Sequence, residues 1–273
     1  MAIIRVARSR SGQAGLDRAA GSLQQLHARL AGLEVEALLP VVIGRGDLPG
    51  RTWLAERALA GHSGRSLLAD AATRRRLLVA TARAIGTIHA ATARAVVVDE
   101  AVLGRWVSTR ARVIADTLHR ARPALPDGRL ARIEAAVSAD LADRTLQVGW
   151  IHGDLWPANI LVADDTALIT GIVDWDSAED DELAFHDRLH LAITTRRLVA
   201  RKELGPVLAD LLSGGTWSED DRAVLDAASE LSDRTALWLY WLRFVESNLL
   251  RHPDLASDRT WLAANVEQVL ACA

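Results

Sequence analysis

The chain contains almost no cysteine and almost no lysine. Its 273 residues include one cysteine, Cys272, and one lysine, Lys202, whereas most basic residues are arginine. A single cysteine excludes an intrachain disulfide, and it indicates a reducing compartment, so we expect a cytoplasmic protein. Any role that needs lysine must fall to Lys202 or stay unfilled.

Long apolar runs and a strong net charge are also missing. No run approaches the roughly 20 apolar residues that cross a bilayer, and the N-terminal MAIIRVARSR lacks the apolar core of a secretory signal. The formal net charge of −3 gives no reason to expect nucleic acid or a membrane as partner. A partner protein is compatible with the sequence but is not indicated by it. Half of the residues are apolar, which predicts one large domain or two lobes with a full-sized core.

The first sixty residues predict a strand, a helix and two further strands. Residues 2–7 alternate like a strand, and leucines recur at helical spacing over 16–33. Segments 38–43 and 52–57 then predict two strands, joined by a glycine-rich turn at 44–50.

Most of the remaining chain predicts helices. Helical periodicity covers 78–88, the stretches near 100–121 and 128–143, and the part beyond Glu182. Residues 231–251 are apolar over so wide a face that we expect this helix to be buried.

Acidic and amide side chains cluster in residues 149–176. Asp154, Asn159 and Asp174 lie five and then fifteen residues apart. Phosphoryl transfer needs a positioned hydroxyl group and a divalent metal that offsets phosphate charge. A carboxylate such as Asp154 can accept or orient the hydroxyl proton, while Asn159 and Asp174 can offer oxygens to Mg²⁺. The cluster therefore indicates a metal-dependent phosphoryl-transfer site.

A predicted hairpin explains how the two metal ligands would meet. Its strands are 160–162 and 167–173, and its turn lies at Asp164-Asp165. Such a hairpin would bring Asn159 and Asp174 back to one place.

Residues 152–159, HGDLWPAN, resemble the HGDxxxxN catalytic loop of the aminoglycoside phosphotransferase and choline kinase-like family, relatives of protein kinases. Residues 172–176, IVDWD, are similar to the family's metal-binding segment. The resemblance implies an α+β protein-kinase-like fold of two lobes: a small, partial, β-rich N-lobe at 1–57 and a large, mainly helical C-lobe at 58–273. It further implies an enzyme that uses ATP and Mg²⁺ to phosphorylate a small-molecule hydroxyl, of the aminoglycoside, amino sugar or amino alcohol type.

Residues 53–61, WLAERALAG, resemble the hinge of this family, where backbone groups meet the adenine. On that resemblance Glu56, Arg57 and Ala58 are assigned to cofactor binding.

Three more residues receive supporting roles. Asp187, in the sequence FHDRL, resembles the aspartate that braces the family's catalytic loop. We expect His152 to pack the loop rather than act as an acid or base. Asp176 is expected to be either a further metal ligand or acid near the metal, or a partner in a local salt bridge.

The kind of acceptor is indicated by two departures from protein kinases. Trp156 stands where protein kinases usually carry a lysine, and helical patterning resumes near Glu182 without a long activation segment. Both features favour a small molecule over a protein side chain.

Several polar and aromatic groups leave alternatives open. The acidic run 179–182 suits either a cationic substrate or a solvated helix start. His186 and His190 have a spacing that zinc sites use, although packing is favoured because no third ligand is evident. Trp238 and Trp241 suit either a quaternary ammonium group or the core.

The N-terminal part departs from the family pattern. Arg5 stands in the position of the phosphate-binding lysine, Ala19 or Ala20 replaces the glutamate that pairs with it, and no residues precede Arg5 that could form the glycine-rich strands. Arginine can bind phosphate, but its planar fork is not equivalent to an ammonium group. Three readings stay open: a start assigned too late, a working kinase that clamps ATP through Arg5, or a catalytically impaired module that binds a nucleotide or another ligand.

Overall fold

The computed structural model describes residues 1–121, 128–163, 167–225 and 231–273, with most strands in the first two thirds of the chain and helices alone after residue 184. The strands are β1 Ala2–Val6, β2 Val42–Leu48, β3 Arg51–Arg57, β4 His62–Ser63, β5 Arg94–Val97, β6 Thr145–Ile151, β7 Ile160–Val162, β8 Ile169–Ile172 and β9 Glu179–Leu183. The α-helices are α1 Arg10–Leu30, α2 Ala71–Thr92, α3 Glu100–Leu103, α4 Thr109–Ala121, α5 Gly128–Leu141, α6 Phe185–Ala200, α7 Leu204–Leu212, α8 Glu219–Leu225, α9 Asp233–Arg251, α10 Arg259–Leu262 and α11 Gln268–Leu270. This mixture of many helices with small sheets confirms the α+β class.

The described residues form two compact units. The first comprises 1–94, 147–195 and 222–225, and the second comprises the described residues of 95–146, 196–221 and 231–273. The predicted boundary between lobes, at residues 57 and 58, lies inside the first unit. The division into lobes at 1–57 and 58–273 therefore stays a prediction.

The N-terminal sheet has the strand order β1-β3-β2 and is antiparallel throughout. Helix α1 begins where the Ser9 hydroxyl accepts a hydrogen bond from the amide of Gly12, as a capping serine does. The leucine face of α1 is buried, and Leu16 and Ala19 pack against Leu54 of β3. The predicted order of strand, helix and two strands is thus confirmed.

The predicted bounds of the second strand are wrong. Strand β2 runs over Val42–Leu48 and so contains most of the residues assigned to a turn. Both of its glycines lie under the ring of Trp53 on β3, where a Cβ at Gly46 would come within 3.0 Å of ring atoms and one at Gly44 within 3.3 Å. The two glycines let the Trp53 ring pack closely on β2. The glycine-rich composition of 44–50 alone does not reveal this role.

The acidic run 179–182 is not a helix start, because it lies in β9. Strand β9 pairs antiparallel with β6, with Glu182 opposite Gly149, and α6 begins only at Phe185. Strand pairing, and not the dipole of a helix, therefore sets the conformation of these residues.

Helix α9 is buried over a wide face, as its pattern predicts. Its apolar side chains are at most 7% exposed at Leu237, Trp238, Trp241, Leu242, Val245 and Leu249. Both tryptophans thus belong to the core of the second unit. No helix among the described residues is long and apolar enough to cross a membrane.

One buried carboxylate ties α6 to the loop that follows β6. Asp187 is fully buried and accepts hydrogen bonds from the amides of His152 and Gly153 at 2.7 and 2.8 Å, and from Nε2 of His89 on α2 at 2.9 Å. Gly153 has φ +79°, a conformation that glycine adopts without strain. Burial acts to raise the pKa of the Asp187 carboxyl, but the hydrogen bonds and the positive charge of His89 outweigh it, so the pKa is lowered.

We predict that Asp187→Asn destabilises the protein by about 3 kcal/mol near neutral pH. An amide has one acceptor oxygen, and three donors converge on this site. Because the folded-state pKa of Asp187 is lowered, its contribution is complete above the unfolded pKa of about 4 and is lost as the pH falls through the folded value. The difference in urea unfolding free energy between wild type and variant should therefore shrink below about pH 4.

The control is Asp116→Asn, which changes an exposed aspartate on α4. It should alter the unfolding free energy by less than about 0.5 kcal/mol at any pH. A difference for Asp187→Asn that stays constant from pH 7 to pH 3 would contradict the electrostatic explanation.

Candidate active site

The hairpin of β7 and β8 brings the predicted metal ligands together. Ile160 pairs with Ile172, and the amide of Val173 donates to the carbonyl oxygen of Asn159 over 2.9 Å. Asn159 and Asp174 therefore lie beside each other at one end of the hairpin. The predicted turn at Asp164-Asp165 lies outside the described residues.

Asp154 lies in the loop between β6 and β7 with both carboxylate oxygens engaged. Oδ1 accepts from Nε2 of His190 at 3.0 Å, and Oδ2 accepts from Nδ2 of Asn159 at 3.2 Å. The same Nδ2 donates to the Asp154 carbonyl oxygen over 2.9 Å. The Asp154 side chain is still 39% exposed, so the carboxylate can meet a molecule from solvent.

His152 packs the loop from inside. It is fully buried, its ring centroid lies 4.6 Å from that of Trp175, and its Nε2 lies 2.9 Å from the carbonyl oxygen of Val173. The amide of Asp154 donates to Nδ1 over 3.2 Å. A carbonyl oxygen can only accept, so the proton resides on Nε2 and the ring joins the loop to the segment before Asp174.

Asp174 follows β8 in the left-handed conformation, with φ +70° and ψ +58°. Non-glycine residues rarely adopt this conformation, and those that do cluster at functional sites. Burial raises the pKa of the Asp174 carboxyl and the negative charge of Asp176 raises it further, while Arg5 opposes both effects. The site therefore concentrates negative charge.

Asp176 accepts a hydrogen bond from its neighbour Ser177 at 2.9 Å through Oδ1. Its carbonyl oxygen accepts from Nε of Arg18 on α1 at 3.0 Å. Gly15 of the same helix lies so close that a Cβ there would be 3.3 Å from Oδ2 of Asp176. Helix α1 thus packs directly on the segment that carries Asp174.

Arg5 joins the N-terminal sheet to this segment. Its Nη1 donates to Oδ1 of Asp174 over 2.7 Å, and its Nη2 donates to Oε1 of Glu56 over 2.9 Å. Of Ala19 and Ala20, which stand where the family carries a glutamate on the helix, Ala19 is fully buried. Glu56 on β3 therefore supplies the carboxylate partner of Arg5 from a neighbouring strand.

This arrangement changes what the segment from Glu56 to Ala58 can offer a nucleotide. Glu56 is buried and burial raises the pKa of its carboxyl, against the opposing charge of Arg5. The amide of Arg57 donates to Val41 over 2.8 Å and that of Ala58 donates to Met1 over 3.1 Å. Both amides thus already donate to backbone carbonyl oxygens. The hinge role of Glu56, Arg57 and Ala58 stays a prediction.

Two side chains of the acidic run, which is one candidate for binding a cationic acceptor, have partners within the protein. Asp181 pairs with Arg94, and Glu182 is buried with an oxygen 3.4 Å from Nε2 of His186. The described residues contain no group of three or more histidine, cysteine, aspartate or glutamate side chains that could hold a metal ion. His190 contacts Asp154, so the two histidines have different partners.

Sequence reasoning did not identify His190, His89 or Glu56 in the roles that the structure shows. The spacing of Asp187 and His190 on one face of α6 is a signal that could have linked His190 to the loop. For His89, which meets Asp187 from 98 residues away, no local signal exists.

Comparisons with known proteins agree with this geometry. The family model described as the phosphotransferase enzyme family, APH, matches residues 2–185. No curated protein sequence is similar enough to count as a match.

Three solved structures illustrate the similarity of fold. The GDP and kanamycin complex of APH(2")-IIia is 18% identical, with a TM-score of 0.59, 99% of this chain covered and 86% of that chain. The ADP-bound aminoglycoside phosphotransferase APH(2'')-Ib is 12% identical, with a TM-score of 0.56 and coverages of 99% and 86%. A glucosamine kinase is 18% identical, with a TM-score of 0.52 and coverages of 97% and 72%.

At these identities the solved structures show the fold, and the family model shows the family. It spans the N-terminal sheet, the catalytic-loop segment and the metal-binding segment. The chain therefore belongs to the phosphotransferase enzyme family, APH.

Proposed function

We propose that this chain is an active kinase of small molecules, which transfers the γ-phosphoryl group of ATP to a hydroxyl group with the help of Mg²⁺. The observation that carries the proposal is the convergence of Asp154, Asn159 and Asp174 at one end of the β7–β8 hairpin. The family match supports the proposal, because the matched family is one of phosphotransferases. We propose the cytoplasm as its location, as the shortage of cysteine predicts.

Asp154 acts on the acceptor. Its side chain is 39% exposed, and Nδ2 of Asn159 donates to one of its carboxylate oxygens. A carboxylate held in this way can accept the proton of a hydroxyl group, or orient that group for attack on phosphorus.

Asn159 and Asp174 fit a magnesium ion. Nδ2 of Asn159 is used by Asp154, so Oδ1 is the atom that this side chain can offer to a cation. Burial and the negative charge of Asp176 raise the pKa of the Asp174 carboxyl, so a cation bound nearby would stabilise its ionised form. Two protein oxygens together with substrate phosphates make a usual set of Mg²⁺ ligands. When bound there, Mg²⁺ would offset the charge on the phosphate oxygens.

Arg5 binds the nucleotide phosphates in place of a lysine. Its guanidinium lies against Asp174, so a nucleotide whose phosphates reach the metal ligands also reaches Arg5. Arginine forms charge-assisted hydrogen bonds to phosphate, often in pairs. Glu56 holds the guanidinium in place from the opposite side.

The acceptor is a small molecule of the amino sugar, aminoglycoside or amino alcohol type. Among similar folds, one structure holds kanamycin and another is a glucosamine kinase. Trp156 beside Asp154 offers an aromatic surface that a sugar ring can contact, and Arg65 lies 6.0 Å from the centre of its ring. The similar structures hold GDP or ADP, so GTP and ATP belong in the same assay.

The alternative is a kinase-like module that binds a nucleotide or another ligand without turnover. The family match and the similar structures give this alternative no support. Binding of nucleotide without phosphorylation of kanamycin, glucosamine or choline would nevertheless decide in its favour.

We predict that MgATP raises the melting temperature of the wild type more than ATP with EDTA does. Nucleotide at about 100 times its Kd adds about 2.7 kcal/mol of stability, which a thermal melt resolves. Asp174→Asn should remove the difference between the two conditions, because the variant lacks the charged metal ligand.

Asp154→Asn is the matched control for that experiment. It should keep the magnesium-dependent rise in melting temperature and lower the turnover number by about 10²- to 10⁴-fold, because it removes the proton acceptor. If neither MgATP nor MgGTP changes the melting temperature of the wild type, the proposed function is wrong.

We also predict that the roles of Arg5 in folding and in nucleotide binding can be separated. Arg5→Met leaves Glu56 buried without its cation and should cost about 3 kcal/mol in urea unfolding. Adding Glu56→Gln should recover most of that loss, because the uncompensated charge is gone.

Affinity for MgATP should fall about 10- to 100-fold in Arg5→Met and in the double variant alike, since both lack the charge-assisted bond to phosphate. Calorimetric titration measures this affinity. Recovery of affinity together with stability in the double variant would show that Arg5 acts through folding alone.

A further inference from the structure

Helix α6 contacts the loop at 152–159 at two points, one on the backbone and one on a side chain. Asp187 accepts hydrogen bonds from the backbone of the loop at His152 and Gly153. His190 lies three residues later on the same helix and reaches the side chain of Asp154. Residues three apart share a helix face, so one face of α6 holds both the backbone of the loop and its functional carboxylate.

The direction of the bond between His190 and Asp154 follows from chemistry. An ionised carboxylate can only accept, so Nε2 of His190 carries the proton and donates to Oδ1 over 3.0 Å. The hydroxyl of Thr194 lies 3.5 Å from the same nitrogen, which is a weaker geometry. Asp154 is therefore the better acceptor for this proton.

His190 is enclosed enough for its bond to matter. The His190 side chain is 11% exposed, whereas the Asp154 side chain is 39% exposed. The imidazole thus approaches the carboxylate from the protein interior and leaves the outer side of the carboxylate to solvent and substrate.

We propose that His190 is a positioning residue for phosphoryl transfer: its Nε2–H holds Oδ1 of Asp154 and, together with Nδ2 of Asn159 on Oδ2, fixes the plane of the carboxylate that receives the acceptor hydroxyl. The inference rests on the proposed function. Two donors from separate elements, α6 and the end of the loop, remove the rotation of the Asp154 side chain. A base that is aligned in advance reacts without a reorganisation step, and a displacement of about 1 Å costs about 100-fold in rate.

The test uses two substitutions of His190 in the full chain. His190→Leu removes the donor and keeps an apolar body of similar size, whereas His190→Gln keeps an N–H donor. The assay is MgATP-dependent phosphorylation of kanamycin and of glucosamine, together with hydrolysis of MgATP without an acceptor. A thermal melt of each variant sets an assay temperature at which all of them are folded.

We expect His190→Leu to lower kcat by about 10- to 100-fold with the KM for MgATP within about twofold of wild type, because alignment and not nucleotide binding is lost. His190→Gln should recover most of kcat. The matched control is His186→Gln on the same helix, whose ring lies near Glu182 and not near Asp154. It should leave kcat within about threefold of wild type.

Each outcome separates this inference from the proposed function. A wild type without phosphorylation or hydrolysis overturns the proposed function and the positioning role with it. A working wild type whose kcat is unchanged by His190→Leu overturns the positioning role alone. Equal losses in the Leu and Gln variants, or a loss confined to KM, also overturn it.

Discussion

The buried carboxylate of Asp187 is the constraint on which the geometry of the site depends. A loop that carries functional side chains must expose them and still satisfy its own backbone amides. Asp187 accepts two of those amides, at His152 and Gly153, and His89 from α2 completes its environment. Because the carboxylate is enclosed, removing any of these donors would leave charge without compensation. The loop is therefore held by an interaction that is costly to break.

The carboxylates around Asp174 depend on a nearby positive charge, which Arg5 supplies. A site that gathers carboxylates for a cation must be stable before the cation arrives. Arg5 supplies that stability by bridging Asp174 and Glu56, and under the proposed function the same guanidinium also binds the nucleotide phosphates. The carboxylate partner of Arg5 comes from strand β3 and not from helix α1, where Ala19 packs against Leu54.

Much of the site could be predicted from short stretches of sequence. The loop, the hairpin and Asp174 fall within 28 residues, 149–176, where local spacing decides which side chains meet. The order of elements along the N-terminal part, a strand, a helix and two strands, followed from periodicity for the same reason. The predicted bounds of β2 failed at Gly44 and Gly46, because the ring of Trp53 covers them from another strand. The acidic run failed as a helix start because β6 pairs with it from about thirty residues away.

The sequence by itself determined the class of chemistry, the α+β fold and the positions of Asp154, Asn159 and Asp174, because a motif and a hairpin are local patterns. The tertiary structure decided which partners these residues have: Arg5 with Asp174 over 169 positions, Arg5 with Glu56, and His190 with Asp154. Hydrogen bonds between distant residues depend on how strands and helices pack, and packing is a property of the whole chain that no local spacing encodes.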